Sequence, residues 1–324
     1  MISDTSIIVL TPIKNEDWIL DRFLSITSRF ADHIILLDQS DGDEAMHTSK
    51  KYPKAIYIRN ESNEYDEEYR QKILIAKARE LVAGKKLLIA IDVDEIITAE
   101  SINSSEWETI CSQAQGTRIF FSKPDILPSL EEYINYEEPF LLGFVDDGRP
   151  HNGTKFHSPR LPFSEQRYFS QSIIFMHFAL VRNKEYQARQ RLYSVMENVK
   201  QTSQTRFRLR KYARHMQKLR NRNKTYEMPA GWLKPYKETG LDIEHFSSSE
   251  DNSYNRQVLA IFNDHPSRKF WMDDIWYVDY DEINRELGGI CKRQIHKPSP
   301  VHDLARNLFI RGYAALLIAT GKIN

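Results

Sequence analysis

The chain has 324 residues, 41% of them hydrophobic and 28% charged, the make-up of a soluble globular protein with one large domain or two smaller ones. Lys plus Arg and Asp plus Glu both number 45, so net charge gives no reason to expect nucleic acid or a strongly acidic partner. Two cysteines, Cys111 and Cys291, exclude a disulfide framework and stand in no metal-ligand spacing.

Strand and helix signals alternate through the first hundred residues. A β-branched run at 7–10 is broken by Thr11-Pro12-Ile13-Lys14-Asn15-Glu16. Asn15 stands where it would cap a helix running to Arg29, with Trp18, Leu20, Phe23, Leu24 and Ile26 as its apolar positions. A second run, 33–37, closes on Asp38-Gln39-Ser40-Asp41-Gly42-Asp43, and a third, 55–58, on Arg59-Asn60-Glu61. Residues 67–82 have the spacing of a long amphipathic helix with Gly84 as its cap. A fourth apolar run, 87–91, ends in Asp92, Asp94 and Glu95.

The middle of the chain has strand character at 118–122, 141–145 and 173–178, with Pro, Gly, Asp and His in the intervening segments, as suits loops over a substrate. From Lys184 the pattern turns helical and basic, and 206–224 carries nine Lys and Arg with no acid. That run is read as a solvated helix face, with acidic lipid head groups as the alternative partner. Its few aromatics (Phe207, Tyr212) speak against stacking on single-stranded nucleic acid. A final amphipathic helix over 304–318 is expected to pack on the body of the protein. The opening Met-Ile-Ser-Asp-Thr lacks a signal-peptide layout, and no apolar run reaches membrane length. The expected location is cytoplasmic, with peripheral contact to the inner face of a membrane open through the basic C-terminal part.

Alternating strands and helices predict an α/β fold with a mostly parallel sheet, a domain over 1–200 and a mainly helical extension over 201–324. Ligands of such sheets bind outside the carboxyl ends of the strands. Those ends carry Thr11-Pro12, Asp38, Arg59-Asn60 and the Asp92 cluster, which places all four on one edge. Two anions 4 Å apart repel by about 4 kcal/mol at an effective dielectric near 20. Three carboxylates at the end of a buried strand therefore call for a cation, and hard oxygen ligands suit Mg²⁺ or Mn²⁺.

With these residues placed, the first 200 positions resemble a family 2-type glycosyltransferase of the Rossmann-like GT-A fold. The matching pieces are Thr11-Pro12-Ile13-Lys14-Asn15-Glu16, Asp38-Gln39-Ser40-Asp41-Gly42-Asp43, Asp92-Val93-Asp94-Glu95, and Phe175-Met176-His177-Phe178 followed by 189–197. The Asp-x-Asp-Glu form resembles the branch with an extended metal motif. The resemblance implies transfer of a sugar from a nucleotide-diphosphate donor, typically UDP-linked, to a carbohydrate or glycolipid acceptor with inversion. It implies that Pro12, Asn15 and Glu16 lie beside the nucleotide and that Asp38 accepts a hydrogen bond from the base. Asp92 would approach the ribose or the metal, Asp94 would bind the metal, and His177 would complete its shell. One departure is Gln39, where an acid often follows the first Asp.

An inverting transfer also needs a carboxylate base. Asp146, Asp147 and Glu165 qualify by residue type, and Asp147 leads because Gly148 lets its loop fold over a donor; each reads equally as a solvated turn acid. His177 reads as a ligand or as a core histidine satisfied by a carbonyl. Arg70 and Arg79 face either the diphosphate or helical acid partners. Two other functions fit parts of the pattern. A strand followed by Asp-x-Asp also occurs in haloacid-dehalogenase-type phosphatases, with Asp92 as nucleophile, although there it opens the domain. A non-catalytic nucleotide- or carbohydrate-binding module would use the same strand ends.

Overall fold

The computed structural model describes residues 5–62, 64–155, 157–200, 224–242 and 252–319. The four early apolar runs form β1 (Ser6–Ile13), β2 (His33–Asp38), β3 (Ala55–Arg59) and β4 (Lys86–Ala90). All four are parallel, with β1 between β2 and β4 and β3 outside β2. The helices between them are α1 (Asp17–Thr27), α2 (Glu44–Ser49) and α3 (Glu67–Leu81). Parallel strands are covered on both faces, so β1 alternates between two cores. Val9 and Ile13 pack with Ile19, Phe23 and Leu24 of α1, while Ile8 and Leu10 pack with Leu74, Ile75 and Ala78 of α3. Each such fully buried aliphatic side chain contributes roughly 1.5–3 kcal/mol.

Then follow β5 (Glu95–Ile97), α4 (Ala99–Ile102), α5 (Glu106–Ser112), β6 (Arg118–Ser122), β7 (Asp125–Ile126), β8 (Glu132–Ile134), β9 (Phe140–Val145) and β10 (Arg167–His177). With β11 (Thr225–Glu227), the strand order among the described residues is β11-β8-β7-β10-β6-β9-β4-β1-β2-β3, and β5 pairs with β10. β9 runs antiparallel to both β4 and β6, whereas β10 is parallel to β6 and β7. The result is the expected α/β architecture, a mostly parallel mixed sheet flanked by helices. The strands at 118–122, 141–145 and 173–178 are present; β5, β7 and β8 span two or three residues each, too few to leave a periodic signal.

Two helix ends differ from expectation. α1 starts at Asp17 with Glu16 as its N-cap, because Asn15 takes a left-handed conformation (φ 56°) that asparagine tolerates. α3 is capped by Asp66, whose side chain accepts a hydrogen bond from Tyr69 N at 2.9 Å, and it ends in extended Val82 without using Gly84.

The chain divides into two compact units. The first takes residues up to Val181 and, of the described residues beyond, 226–242. It includes α7 (Ala230–Glu238), whose Trp232, Leu233 and Tyr236 are buried in the same core as α1 and whose Tyr236 hydroxyl donates to Ile97 O at 2.8 Å. The second unit begins at Arg182 and contains α6 (Asn183–Lys200), α8 (Ser253–Asp264), a 3₁₀ turn (Ser267–Phe270), α9 (Tyr280–Glu286) and α10 (Pro300–Ala319). Its core joins Leu192 and Val195 of α6 to Val258, Leu259 and Phe262 of α8, with Phe270 and Tyr280. The boundary therefore falls before α6 rather than at residue 200, since the apolar stripe of α6 is spent on α8. Apart from Lys224, the basic run at 206–224 lies outside the described residues. In α10, Val301, Leu304, Leu308 and Leu316 are exposed. No helix among the described residues is long and apolar enough to cross a membrane.

Gly143 marks a close approach within the sheet. A Cβ there would meet Ile119 Cβ at 2.8 Å and the Phe121 ring at 3.1 Å, both fixed by buried packing. Gly143→Ala is expected to lower stability by about 1–3 kcal/mol, read as a reduced urea midpoint at unchanged slope.

Candidate active site

Strand direction decides which predicted residues can meet. The carboxyl ends of β1, β2, β3 and β4 lie on one edge, and three segments from later in the chain reach the same edge. The first is the turn 91–95, closed by Asp92 N donating to Glu95 Oε2 (2.9 Å) and Glu95 N donating to Asp92 O (2.9 Å). The second is the end of β10, where His177 stands opposite Glu95 in register and Phe178 N donates to Asp94 O at 2.8 Å. The third is β7, whose Asp125 is the parallel partner of His177.

These segments build two linked charge systems. Glu95 is completely buried and is held by Lys123 Nζ (2.5 Å to Oε1) and by Arg160, whose Nη1 and Nη2 donate to its two oxygens at 2.5 and 3.0 Å. Burial opposes the charged carboxylate, but Arg160 and Lys123 outweigh it and hold Glu95 well below the usual range. Arg160 also donates to Ala90 O (3.2 Å) and pairs with Asp92. The segment that carries Arg160 is tied down on both sides. Ser158 N donates to Glu67 Oε2 at 2.7 Å, Glu67 N donates to Lys155 O at 3.1 Å, and Leu161 is buried against α3.

The second system is a line of acid, imidazole and acid. Asp125 Oδ1 lies 2.6 Å from His177 Nδ1, and His177 Nε2 lies 3.7 Å from Asp94 Oδ2. Tyr136 donates its hydroxyl to the other oxygen of Asp125. Burial works against a charged His177, yet Asp94 and the Asp125 hydrogen bond raise its pKa above the ordinary value. Deprotonated, the imidazole keeps Nδ1–H on Asp125 and turns the Nε2 lone pair to Asp94, the orientation in which a carboxylate prepares histidine for a metal. A divalent ion fits Asp94 and His177 in this respect. Asp92, the third predicted ligand, is engaged by Arg160, and among the described residues no three His, Cys, Asp or Glu side chains converge as a ready-made metal cluster.

Asn15, Glu16 and Pro12 also reach this edge. Asn15 N donates to Ser40 Oγ (2.8 Å), and its side chain exchanges hydrogen bonds with Asp41, joining the loops after β1 and β2. Glu16 accepts from Trp18 Nε1 at 2.5 Å, and Pro12 sits in register with Leu37. Asp38 takes a different task from the one expected. It is fully buried and accepts from Ser40 N (2.8 Å), Tyr57 Oη (2.8 Å) and Arg59 Nη1 (3.2 Å), so its carboxylate organises the loop instead of opening to a base. Arg70 stacks on Tyr65, 4.8 Å from its ring centroid, and its buried Nε has no hydrogen-bond partner. Asn60 Nδ2 and Gln71 Oε1, on side chains over nine-tenths buried, likewise have none. Buried polar groups are normally paired; Asn60 follows the end of β3, and Arg70 and Gln71 lie in the first turns of α3.

The predicted bases lie elsewhere. β9 is antiparallel to β4, so Val145 at its end faces Leu87 at the start of β4. Asp147 therefore sits at the opposite edge from Asp92, roughly 15 Å or more away at 3.3 Å per residue. Its carboxylate is bonded to Arg149 (Nη2 at 2.5 Å), which outweighs burial and lowers its pKa. Asp146 is on the same far edge, bound by Arg79 (Nη2 at 2.7 Å). Glu165 is exposed just before Arg167, which pairs with Arg118 at the start of β6, again on the far edge. Reading residue types without strand direction put these acids on the wrong side. Missed altogether were Lys123, Asp125 and Arg160, each beside a proline (Lys123-Pro124-Asp125 and Pro159-Arg160) where the chain leaves regular structure. The phosphatase reading also finds Asp92 paired with Arg160 and placed after a fourth strand, poorly set for a nucleophile.

No protein-family model matches the chain, and no curated protein matches it. Among solved structures it is similar to S. aureus TarS 1-349, at 9% identity over 98% of this chain and 92% of that one, with a TM-score of 0.41. It is also similar to 4-diphosphocytidyl-2C-methyl-D-erythritol synthase, at 14% identity over 36% of this chain with a TM-score of 0.29. The matched part spans 60% of that synthase. Both likenesses are loose, and neither bears on chemistry.

Two outcomes follow from the packing around this edge. Lys123→Met leaves buried Glu95 with one cation fewer and is expected to cost about 3 kcal/mol in urea unfolding. His151 is 4% exposed, and neither ring nitrogen has a partner. Burial, with Lys72 acting alongside and Glu68 opposing, lowers its pKa from the ordinary 6.5. The unfolded chain then takes up this proton first, so the stability is fully present above about pH 6.5 and declines as the pH falls toward the folded value. His151→Phe should show a shallower loss of urea midpoint than the wild type between about pH 7 and 5.

Proposed function

We propose that the chain is a glycosyltransferase. It would move a sugar from a nucleoside-diphosphate donor, UDP-linked, to a hydroxyl of a carbohydrate or glycolipid acceptor, with inversion and with Mn²⁺ or Mg²⁺. The observation that carries this reading is the meeting of Asp94, His177 and Asp125 with the Asp92–Glu95–Arg160 system at the carboxyl edge of the sheet. Ligands of open α/β sheets bind at that edge.

In the transfer, the acceptor oxygen bonds the anomeric carbon while the bond to the diphosphate breaks, and the electron pair leaves with the phosphate. Negative charge therefore grows on the leaving group. A divalent cation held by Asp94 and His177, with Asp92 beside them, would supply a Lewis-acid charge there. Arg160, fixed by Glu95 and a quarter exposed, adds a preorganised positive charge at the same place. Asp125 keeps His177 in one orientation. Unpartnered atoms of Asn60, Arg70 and Gln71 offer hydrogen bonds to the nucleotide, whereas Asp38 supports the loop below it. The carboxylate that takes the acceptor proton belongs on this edge too, which removes Asp147 and Glu165 from the role.

A thermal-shift panel of nucleotides with and without Mn²⁺ tests the donor, since a ligand of the native state raises apparent stability with RT ln(1 + [L]/Kd). UDP is expected to stabilise the chain only with Mn²⁺. Donor turnover should fall at least about 100-fold in Asp94→Ala and stay within about twofold in Asp147→Asn. Metal-independent turnover, or loss in Asp147→Asn with Asp94→Ala active, would overturn the reading.

A further inference from the structure

The second unit contains a cavity that the donor site does not use. It measures about 260 Å³ and is lined by Lys184, Glu185 and Arg191 of α6, Asn252 and Asn255 at the start of α8, and Val278 among others. Arg191 is 5% exposed, an unusual burial for a guanidinium. Its Nη2 donates to Asn255 Oδ1 (2.9 Å), its Nη1 donates to Tyr277 Oη (3.3 Å), and it lies 5.3 Å from the Tyr277 ring centroid. Its buried Nε–H makes no hydrogen bond of normal geometry among the described residues, although the buried Tyr280 hydroxyl stands close enough to the guanidinium to interact with it. Among the described residues the only carboxylate lining the cavity is that of Glu185, which is already paired with Arg182 at 2.9 Å.

A buried cation with an unmet donor is costly unless an anion completes it. α8 adds a second contribution. It has twelve residues, it begins at this cavity, and the side chain of its N-cap, Asn252, makes no capping bond to the backbone of the first turn, its Oδ1 accepting only from Asn255 Nδ2 at 3.5 Å. A helix N-terminus favours negative charge. The volume is below the roughly 300 Å³ at which drug-sized pockets begin, so it suits a small oxyanion rather than a nucleotide.

We propose that this cavity binds a phosphoryl group, with Arg191 as the buried anchor, Lys184 as the exposed rim charge, and Asn255 and the start of α8 completing the cradle. The group can arrive as a free phosphate monoester or as the phosphodiester of a lipid head group. Both present the same tetrahedral anion to Arg191.

The test uses the full chain in chloride buffer at constant ionic strength, titrated calorimetrically with inorganic phosphate, glycerol 3-phosphate and vesicles of phosphatidylglycerol. Saturable phosphate binding is expected. Lys184→Gln, on the surface, should weaken it about tenfold, and Arg191→Lys, which keeps a charge but loses Nε, should weaken it further. Asp94→Ala should bind phosphate as the wild type does, which separates this proposal from the donor reading. Stronger binding of vesicles than of glycerol 3-phosphate would identify the lipid source, and the reverse order the soluble one. Absence of saturable binding, or binding untouched by Lys184→Gln and by a folded Arg191→Lys, would overturn the proposal.

Discussion

The first unit depends on keeping one fully buried carboxylate charged. Glu95 sits where β4 gives way to β5, with no exposure to water, and it carries the turn 92–95 on its oxygens. Alone, such a charge would cost several kcal/mol and take up a proton instead. Lys123 from beyond β6 and Arg160 from beyond β9 offset that cost. The same three residues therefore hold together the end of β4, the chain leaving β6 and the segment strapped over α3. The shape of the edge and the charge balance of the site are one requirement.

That requirement explains why the acids divide as they do. Glu95 is neutralised from within and is closed to ligands. Asp92, with a side chain 42% exposed, shares Arg160 but stays open to solvent. Asp94 is nearly buried and faces the imidazole, whose far side is fixed by Asp125. Three acids close in sequence thus take three environments: one structural, one sharing the fixed Arg160, and one aimed at a histidine. An alternating backbone enforces the division, because neighbouring side chains in a tight turn cannot all point the same way.

What the sequence shows follows the range of the forces involved. β1 to β4, α1 and α3 are written in local periodicity, and their parallel order places Asp92 and Asp94 on the ligand-binding edge before any contact is known. His177 is legible as the end of an apolar run. The direction of β9 is not. It depends on β9 pairing with β4 and β6, 19 or more residues away, and reversing it moves Asp147 to the far edge. Arg160 is hidden for the same reason, since its partners lie 65 to 70 positions earlier and nothing near Ser158-Pro159-Arg160 foreshadows them. Asp38 shows a subtler limit. Its position at a strand end is correct, but Tyr57 and Arg59 on the next strand claim its oxygens, and cross-strand capture leaves no trace in the neighbourhood of Asp38 itself.

Arg191 in the second unit is a contrasting case of the same physics. Both units bury an ionised side chain, but Glu95 meets two full countercharges, whereas Arg191 meets an amide oxygen, a phenol and an aromatic face. Neutral partners recover part of the hydrogen bonding and little of the charge. A protein that buries a guanidinium in this way retains an unmet electrostatic demand, and the cavity beside it gives that demand a place to be met. The asymmetry separates a charge that maintains a fold from a charge kept available for a ligand. By that criterion Glu95 belongs to the scaffold, and Arg191 is the charge the cavity leaves for a ligand.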